Sequence, residues 1–309
     1  MKRWIAAFAL LAVGGAAHAQ AKTLLKPFIL AWTDNGTIAA DVAKVKSKVT
    51  AAGFQVVGSY SPYPTATIMA ITSPALKADA AKSKFGGYGA AQRVAVTQVG
   101  KQIQVSYTNP VYMQYAYRMK ADLSPIAASL KTALGDVKQF GPKHGLSPSD
   151  LGDYNYMFGM ETFGDPNVLA TYKTYKAAVA GVEKGLAADR DGVSKVYEIS
   201  LPGRQETVFG VAMSKKNGGS KEADDAYIMK QIDFKPLRST AHLPYEMVVY
   251  KNKVYALSAR FRIAINFPDL SMMGSHSFMN IMGSPDAIRT SLSAAAGGNW
   301  STVKGQGND

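Results

Sequence analysis

The spacing of apolar residues predicts that helices and strands alternate along the chain. Apolar side chains recur every three or four positions over about residues 37–52, which predicts an amphipathic helix. Gly53 is expected to end this helix. Strands are predicted at 54–60 and 65–72, because these short runs are bounded by glycine and proline and favour extended backbone.

Serine followed by proline marks the start of three further helices. Ser73-Pro74, Ser124-Pro125 and Ser284-Pro285 each place a capping residue ahead of a proline, whose fixed φ suits the first helical turn. Residues 93–98 and 102–107 flank a short glycine-containing turn and predict a β-hairpin.

The second half combines a long helical pattern with a long strand pattern. Apolar residues spaced by threes and fours from Val168 to Leu186 predict one helix that begins at Asp165-Pro166. Every second residue from Tyr255 to Phe267 is apolar, so we predict a single long strand over 253–267 with one solvated face and exclude a helix. Shorter strands are predicted at 193–201, 207–213 and 245–250.

The two halves repeat one order of predicted elements. At an offset of 160 residues, Met113 falls on Met273 and Met119 on Met279. We therefore predict an α+β fold of two related α/β domains with antiparallel sheets and packed helices, duplicated about a pseudo-two-fold axis. Pairing of the two sheets would cover the faces that the helices leave open. The predicted boundaries are 20–135 for the first domain, 136–165 for a connector, 166–298 for the second, diverged domain and 299–309 for a flexible tail.

The N-terminus has the three parts of a secretory signal peptide. Lys2 and Arg3 are positive, residues 4–13 are apolar, and Ala17-His18-Ala19 supplies the small residues that precede a cleavage site. We expect residues 1–19 to be removed by cleavage between Ala19 and Gln20, which predicts a soluble, periplasmic mature protein. No other apolar run is long enough to span a membrane, which needs about 20 residues.

Composition narrows the chemistry. The absence of cysteine excludes disulfides, zinc–thiolate sites and thiol nucleophiles. The net charge is +13, and two of the positive charges, Lys2 and Arg3, are removed with the signal peptide. The remaining positive residues are scattered along the chain and include Lys215 and Lys216 in a predicted loop. Such a surface favours anionic partners, for example lipid head groups, or is simply well solvated. Nucleic acid is not an expected partner of an exported protein.

Three runs in the first half carry a family resemblance. They are Ala51-Ala52-Gly53-Phe54, Thr72-Ser73-Pro74, and the run from Val105 to Met113 (VSYTNPVYM). Together they resemble the domain-of-unknown-function family 302 over about Gly53 to Met113, and the second half looks like a diverged copy without the Tyr-x-x-Pro run. The resemblance implies a small α/β domain that associates in pairs. It brings no established activity.

The segment 271–283 holds four of the 13 methionines around His276. Thioether and imidazole groups suit Cu(I), and a helix would place three of these groups on one face, which predicts a copper site. The competing interpretation is core packing, because methionine also fills irregular gaps in a core. The candidate metal ligands are Met113, Met119, Met273, His276 and Met279, and the four methionines among them are expected to converge at the pseudo-axis.

A second candidate site is a pair of arginines. Arg260 and Arg262 share one face of the predicted strand, where guanidinium groups suit a carboxylate or phosphate, although a solvated face has the same pattern.

His144 and His242 are expected in surface loops. Asp224-Asp225 is expected in a polar loop, where acid catalysis would lack a buried partner.

Recognisable catalytic motifs are missing from the sequence. It contains no H-E-x-x-H, no G-x-S-x-G and no phosphate-binding G-x-x-x-x-G-K-[ST]. We therefore predict a non-catalytic binding or accessory protein, whose partner is a small-molecule or metal ligand or an envelope protein, with pairing of the halves or a homodimer. The alternative is a hydrolase or isomerase with its site in the cleft between the halves.

Overall fold

The computed structural model describes residues 23–298 and shows an α+β protein with two antiparallel sheets, which confirms the predicted fold class. The predicted signal peptide and the predicted tail at 299–309 lie outside the described residues. Within residues 23–298, no helix combines the length and apolar character needed to cross a membrane.

The first sheet has six strands and the second has five. The first contains β1 (Phe28–Asp34), β2 (Gln55–Tyr63), β3 (Ala66–Thr72), β4 (Gln92–Val99), β5 (Gln102–Thr108) and β6 (Lys138–Phe140). The second contains β7 (Asn167–Thr171), β8 (Val193–Ser200), β9 (Glu206–Met213), β10 (Tyr245–Tyr250) and β11 (Lys253–Ala256).

The α-helices of the described chain connect and cover these strands. They are α1 (Ile38–Ala51), α2 (Pro74–Ala81), α3 (Pro110–Ala116), α4 (Ser124–Leu134), α5 (Pro148–Gly152), α6 (Tyr175–Ala187), α7 (Asp225–Ile232), α8 (Ala259–Asn266) and α9 (Ser284–Ala295). Two short 3-10 turns, Gly86–Gly89 and Thr240–His242, precede β4 and β10.

Both sheets follow the same path. Their strand orders are β2-β3-β4-β5-β1, extended by β6, and β8-β9-β10-β11-β7. Each half runs through strand, helix, two strands, helix, two strands and two helices. The predicted repeat of elements is therefore visible as a repeat of topology, while a common origin of the halves stays a prediction.

Helix starts follow local capping chemistry. The hydroxyl of Thr37 accepts from the amide of Ala40 at the start of α1, and Ser73 does the same for Leu76 at the start of α2. Such a cap contributes about 1 kcal/mol. Proline lies in the first turn of α2, α4 and α9, which confirms the three helices predicted from Ser-Pro. Of the three serines only Ser73 is a cap, because Ser124 and Ser284 are themselves the first residues of α4 and α9.

The predicted long strand at 253–267 is wrong. The strand β11 ends at Ala256, and α8 follows from Ala259 to Asn266. Phe261 and Ile265 are buried, and so is Arg262 between them in sequence. A helix enclosed by protein lacks a solvated stripe, so its sequence does not show the helical period that marks an amphipathic helix.

The predicted helix start at Asp165-Pro166 is also wrong. Val168 lies in β7, where it pairs with Tyr255 of β11, and α6 begins at Tyr175 after a cap from Thr174. Two further strands, β1 and β6, were not predicted. The strand β1 lies between β5 and β6, and β6 comes from the predicted connector and pairs with β1.

The helices cover the outer face of each sheet, and the inner faces pack against each other. Helices α1 and α4 lie against the first sheet, whereas α6 and α9 lie against the second. The turn Gly86–Gly89 contacts β9 and β10, and the turn Thr240–His242 contacts β3, β4 and β5. Each half thus inserts its 3-10 turn against the other sheet, and both core clusters contain residues of both halves.

Candidate functional site

A buried ionic cluster lies where the two sheets meet. Arg93 of β4 pairs with one carboxylate oxygen of Glu246 of β10, and Arg262 of α8 lies 3.2 Å from the other. Arg93 Nε also donates to the carbonyl of Ala241 at 3.0 Å, and the Tyr197 hydroxyl donates to Glu246 at 3.2 Å. All three charged side chains are almost completely buried, so this cluster joins the halves rather than facing solvent.

The two arginines predicted to share a sheet face lie instead on different sides of helix α8. Residues two positions apart on a helix point about 200° apart. Arg262 is 1% exposed, donates to the carbonyls of His242 and Pro244, and carries its guanidinium 4.4 Å from the Tyr245 ring. Arg260 is half-buried and pairs with Glu161 at 3.1 Å. The predicted anion site therefore does not form as a pair.

His242 lies inside the protein, which corrects its predicted surface position. Its ring packs edge-on against Tyr245 and Phe267 and lies beside the Arg262 guanidinium. Burial, followed by the charges of Arg262 and Arg93, holds the pKa of His242 well below its usual value. The imidazole is therefore neutral near pH 7. His144 is exposed, as predicted.

The structure does not build the predicted methionine face. Met113 and Met119 are buried in the first core cluster, whereas Met273 and Met279 are 76% and 51% exposed. Residues 271–283 form a loop with one short 3-10 turn rather than a helix. The core-packing interpretation thus fits Met113 and Met119, but it does not fit Met273 and Met279.

His276 has its own contacts in this loop. Its ring stacks on Phe234 with centroids 4.6 Å apart, and Nδ1 lies 3.2 Å from the carbonyl oxygen of Gln231. Over residues 23–298, no group of three or more imidazole and carboxylate side chains is placed to hold a metal ion. Copper binding at the methionines stays a prediction.

A large concave site lies between the β2–β3 hairpin of the first half and α7 of the second. Two cavities of about 580 and 610 Å³ adjoin there and share Tyr63, Ala226 and Lys230 as lining residues. We call these two cavities together the groove. The larger is also lined by residues 60–64, 212–216 and 224–227, and the smaller includes Thr97, Met229, Asp233, Phe234, Arg238 and His276.

Asp225 forms part of the groove wall at the first residue of α7. Its Oδ2 accepts hydrogen bonds from the Tyr60 hydroxyl and the Met213 amide, both at 3.1 Å. Its Oδ1 is buried and has no hydrogen-bond partner among the described residues. Burial raises the pKa of Asp225 to about 7. This carboxyl can therefore gain or lose a proton near neutral pH.

Asp233, at the other end of α7, is a second buried carboxyl in the wall of the groove. Its Oδ1 accepts from the Ser239 amide at 2.7 Å, and Oδ2 accepts from the Thr240 hydroxyl at 3.3 Å. Burial raises the pKa of Asp233 to about 7 as well. Each cavity of the groove thus has a protonatable carboxyl in its wall.

Lysines surround the larger cavity. Lys215, Lys216 and Lys230 are exposed and line it. No carboxylate in the described part of the chain lies within ion-pair distance of these three ammonium groups. By contrast, Lys235 pairs with Asp269 at 2.6 Å. The groove therefore combines unpaired positive charge at its rim with carboxyls in its wall.

Sequence reasoning missed the groove and misplaced Asp224-Asp225. Both carboxyls are buried rather than solvated, and Asp224 caps α7 by accepting from the Tyr227 amide at 2.8 Å. The wall around Asp225 depends on Tyr60, which lies 165 residues away in sequence. The signal that was available is an acidic pair directly before a helix, which is typical of an N-cap.

Comparison with known proteins found no matching family model, no matching curated protein and no matching solved structure. The resemblance of residues 53–113 to family 302 therefore stays a prediction.

Proposed function

We propose that the protein binds a small anionic ligand in the groove. The observation that carries this proposal is the set of three lysines, Lys215, Lys216 and Lys230, which line one cavity and lack carboxylate partners among the described residues. A cavity of about 610 Å³ lies within the range of small-molecule sites, which is about 300–1,000 Å³. Like charges that converge on a concave surface raise the local concentration of an oppositely charged ligand.

The compartment of this binding protein is also a proposal. The signal-peptide pattern at residues 1–19 supports export to the periplasm, and the net charge of +13 suits anionic partners there. A binding or accessory role fits the lack of a catalytic motif in the sequence. The anionic ligand predicted at Arg260 and Arg262 is thus reassigned to the groove, because Arg262 is enclosed by its own carboxylate and carbonyl partners.

Titration calorimetry with inorganic phosphate and citrate at low salt tests the proposal. The variant K215A/K216A removes two charges from the groove, and K176A/K184A removes two exposed lysines from α6 as a matched control. We expect the groove variant to weaken binding of at least one probe at least tenfold and the control variant to leave it nearly unchanged. Equal affinities in the two variants would overturn the proposal.

A second candidate function is acid–base catalysis by Asp225, in line with the predicted alternative of a hydrolase or isomerase. A carboxyl with a pKa near 7 and one unpartnered oxygen has the properties of a general acid or base. Turnover of p-nitrophenyl acetate or p-nitrophenyl phosphate by the wild-type protein, lost in D225N, would support it. Equal rates for both proteins would contradict it.

A further inference from the structure

Asp225 holds a polar atom that the protein leaves without a partner. Its Oδ1 is buried, and no donor in the described residues reaches it, although Oδ2 of the same carboxyl accepts two hydrogen bonds. A buried polar atom without a partner costs about 1–3 kcal/mol, so such atoms need an explanation. Asp225 lines the larger cavity, and Oδ1 itself is closed to solvent, so a group of a bound ligand can provide the missing hydrogen bond once the side chain turns towards the cavity.

The surroundings of Asp225 favour its charged form once a donor reaches Oδ1. The Tyr60 hydroxyl and the Met213 amide both donate to Oδ2, and hydrogen bonds to a carboxylate stabilise its ionised state. The N-terminus of α7 adds a favourable dipole, because Asp225 is the first residue of that helix. The free oxygen therefore suits a donor, and a positively charged donor above all.

We infer that the Asp225 end of the groove binds an ammonium group, so that the ligand is a zwitterion whose carboxylate or phosphate lies at Lys215 and Lys216. This inference rests on the proposed function and specifies the ligand further, as a molecule that carries an ammonium group in addition to its anionic group. An ammonium group brings three donors and a compensating charge to Oδ1. The lysines that line the same cavity then hold the opposite end of the ligand.

Several charged and titratable groups face Asp225 and set the pH range in which it ionises. Arg262 of α8 lowers the pKa of Asp225, and Asp224 at the cap of α7 raises it. Burial outweighs both. The other groups around the carboxyl, from β2, β10 and the groove rim, are Tyr60, Tyr63, Tyr245, Lys215, Lys216 and Lys230.

The test compares two ligand series at pH 8. One series runs from glycine to 6-aminohexanoate, with the amino group at the far end, and the other contains the matching carboxylates from acetate to hexanoate. Both series carry the same anionic end, and the length is varied so that the amino acid whose two ends match the groove can be identified. Affinity is measured by calorimetry for the wild-type protein, D225N and K215A/K216A.

We expect one amino acid of the series to bind at least tenfold more tightly than the carboxylate of equal length. D225N should remove this preference, whereas K215A/K216A should weaken the binding of both series. The preference should also fade as the pH is lowered through 7, because protonated Asp225 loses its charge. The variant Y60F, which removes one donor to Oδ2, should move that loss to a higher pH.

Four results would overturn the inference, two of them by contradicting the ammonium site and two by contradicting the groove. Equal binding of amino acids and carboxylates, or a preference that survives in D225N, would contradict the ammonium site and leave the anion-binding groove intact. Failure of both series to bind, or unchanged binding in K215A/K216A, would contradict the groove itself.

Discussion

Arg93 and Glu246 form a buried ion pair from the same position of two equivalent strands. Arg93 is the second residue of β4 and Glu246 is the second residue of β10, and these strands occupy the same place in the two sheets. Glu246 also accepts from Arg262 and Tyr197. One carboxylate thus links both sheets and helix α8, which makes it the centre of the contact between the halves.

Removal of the Glu246 charge is expected to destabilise the fold strongly. In E246Q, two buried guanidinium groups lose their shared carboxylate, and breaking such a pair costs about 3–5 kcal/mol. Urea unfolding gives the difference in free energy. The control is D79N, which breaks the surface pair between Asp79 and Lys82 and should cost at most about 1 kcal/mol. Similar losses in the two variants would contradict a central role for Glu246.

Gly58 is expected to mark the closest approach of strands β2 and β8. A Cβ atom built on Gly58 lies 2.1 Å from the carbonyl oxygen of Val196, so alanine would force the two strands apart. We expect G58A to destabilise the protein by about 1–3 kcal/mol, as overpacking does elsewhere. G152A is the control, because a Cβ at Gly152 meets no atom within 4 Å. Thermal unfolding that is unchanged in G58A would contradict this packing.

Asp225 and Asp233 are expected to make stability fall as the pH rises towards 7. Each carboxyl has a pKa of about 7 in the folded protein and an ordinary value of 3.8, so the folded state holds more protons between these limits. Each group then lowers the free energy of unfolding by up to about 1.4 kcal/mol per pH unit over that range.

Urea unfolding from pH 4 to 8 measures this slope in the wild-type protein, D225N and D233N. Asparagine does not ionise, so each variant should lose the contribution of the replaced carboxyl to the pH dependence of the free energy of unfolding. D165N is the control, because the Thr162 amide holds the pKa of Asp165 below its usual value, so this carboxyl contributes almost no slope between pH 4 and 8. Identical pH profiles for D225N and the wild-type protein would contradict the raised pKa.

Local signals in the sequence predict α1, α2, α4 and α9, but they miss α3, α5, α7 and α8 and predict the buried contacts poorly. The caps at Thr37 and Ser73 act within four residues, so α1 and α2 can be predicted from sequence. Six of the eight residues of helix α8 are buried, and its buried Arg262 mimics the polar position of a strand. Its location depends on Glu246 from another element, which no local pattern reveals.

The candidate site is missed for the same reason. Lys215 and Lys216 are visible in the sequence as basic residues of a loop, and Asp225 is visible as part of an acidic pair. Their meeting depends on Tyr60 and the β2–β3 hairpin of the other half. Burial, which raises the pKa of Asp225, arises only when the halves pack together. The sequence therefore shows which residue types are present, but it does not show that they meet in one groove.

The most direct test of the central claim is to map where an anionic ligand binds. Amide chemical shifts of the isotope-labelled protein are followed by NMR while inorganic phosphate and then citrate are added at low salt. If the groove is the site, the largest saturable shifts will come from residues 212–216 and 224–230 and will vanish in K215A/K216A. Shifts spread evenly over the basic surface, or centred on Arg260, would contradict the account.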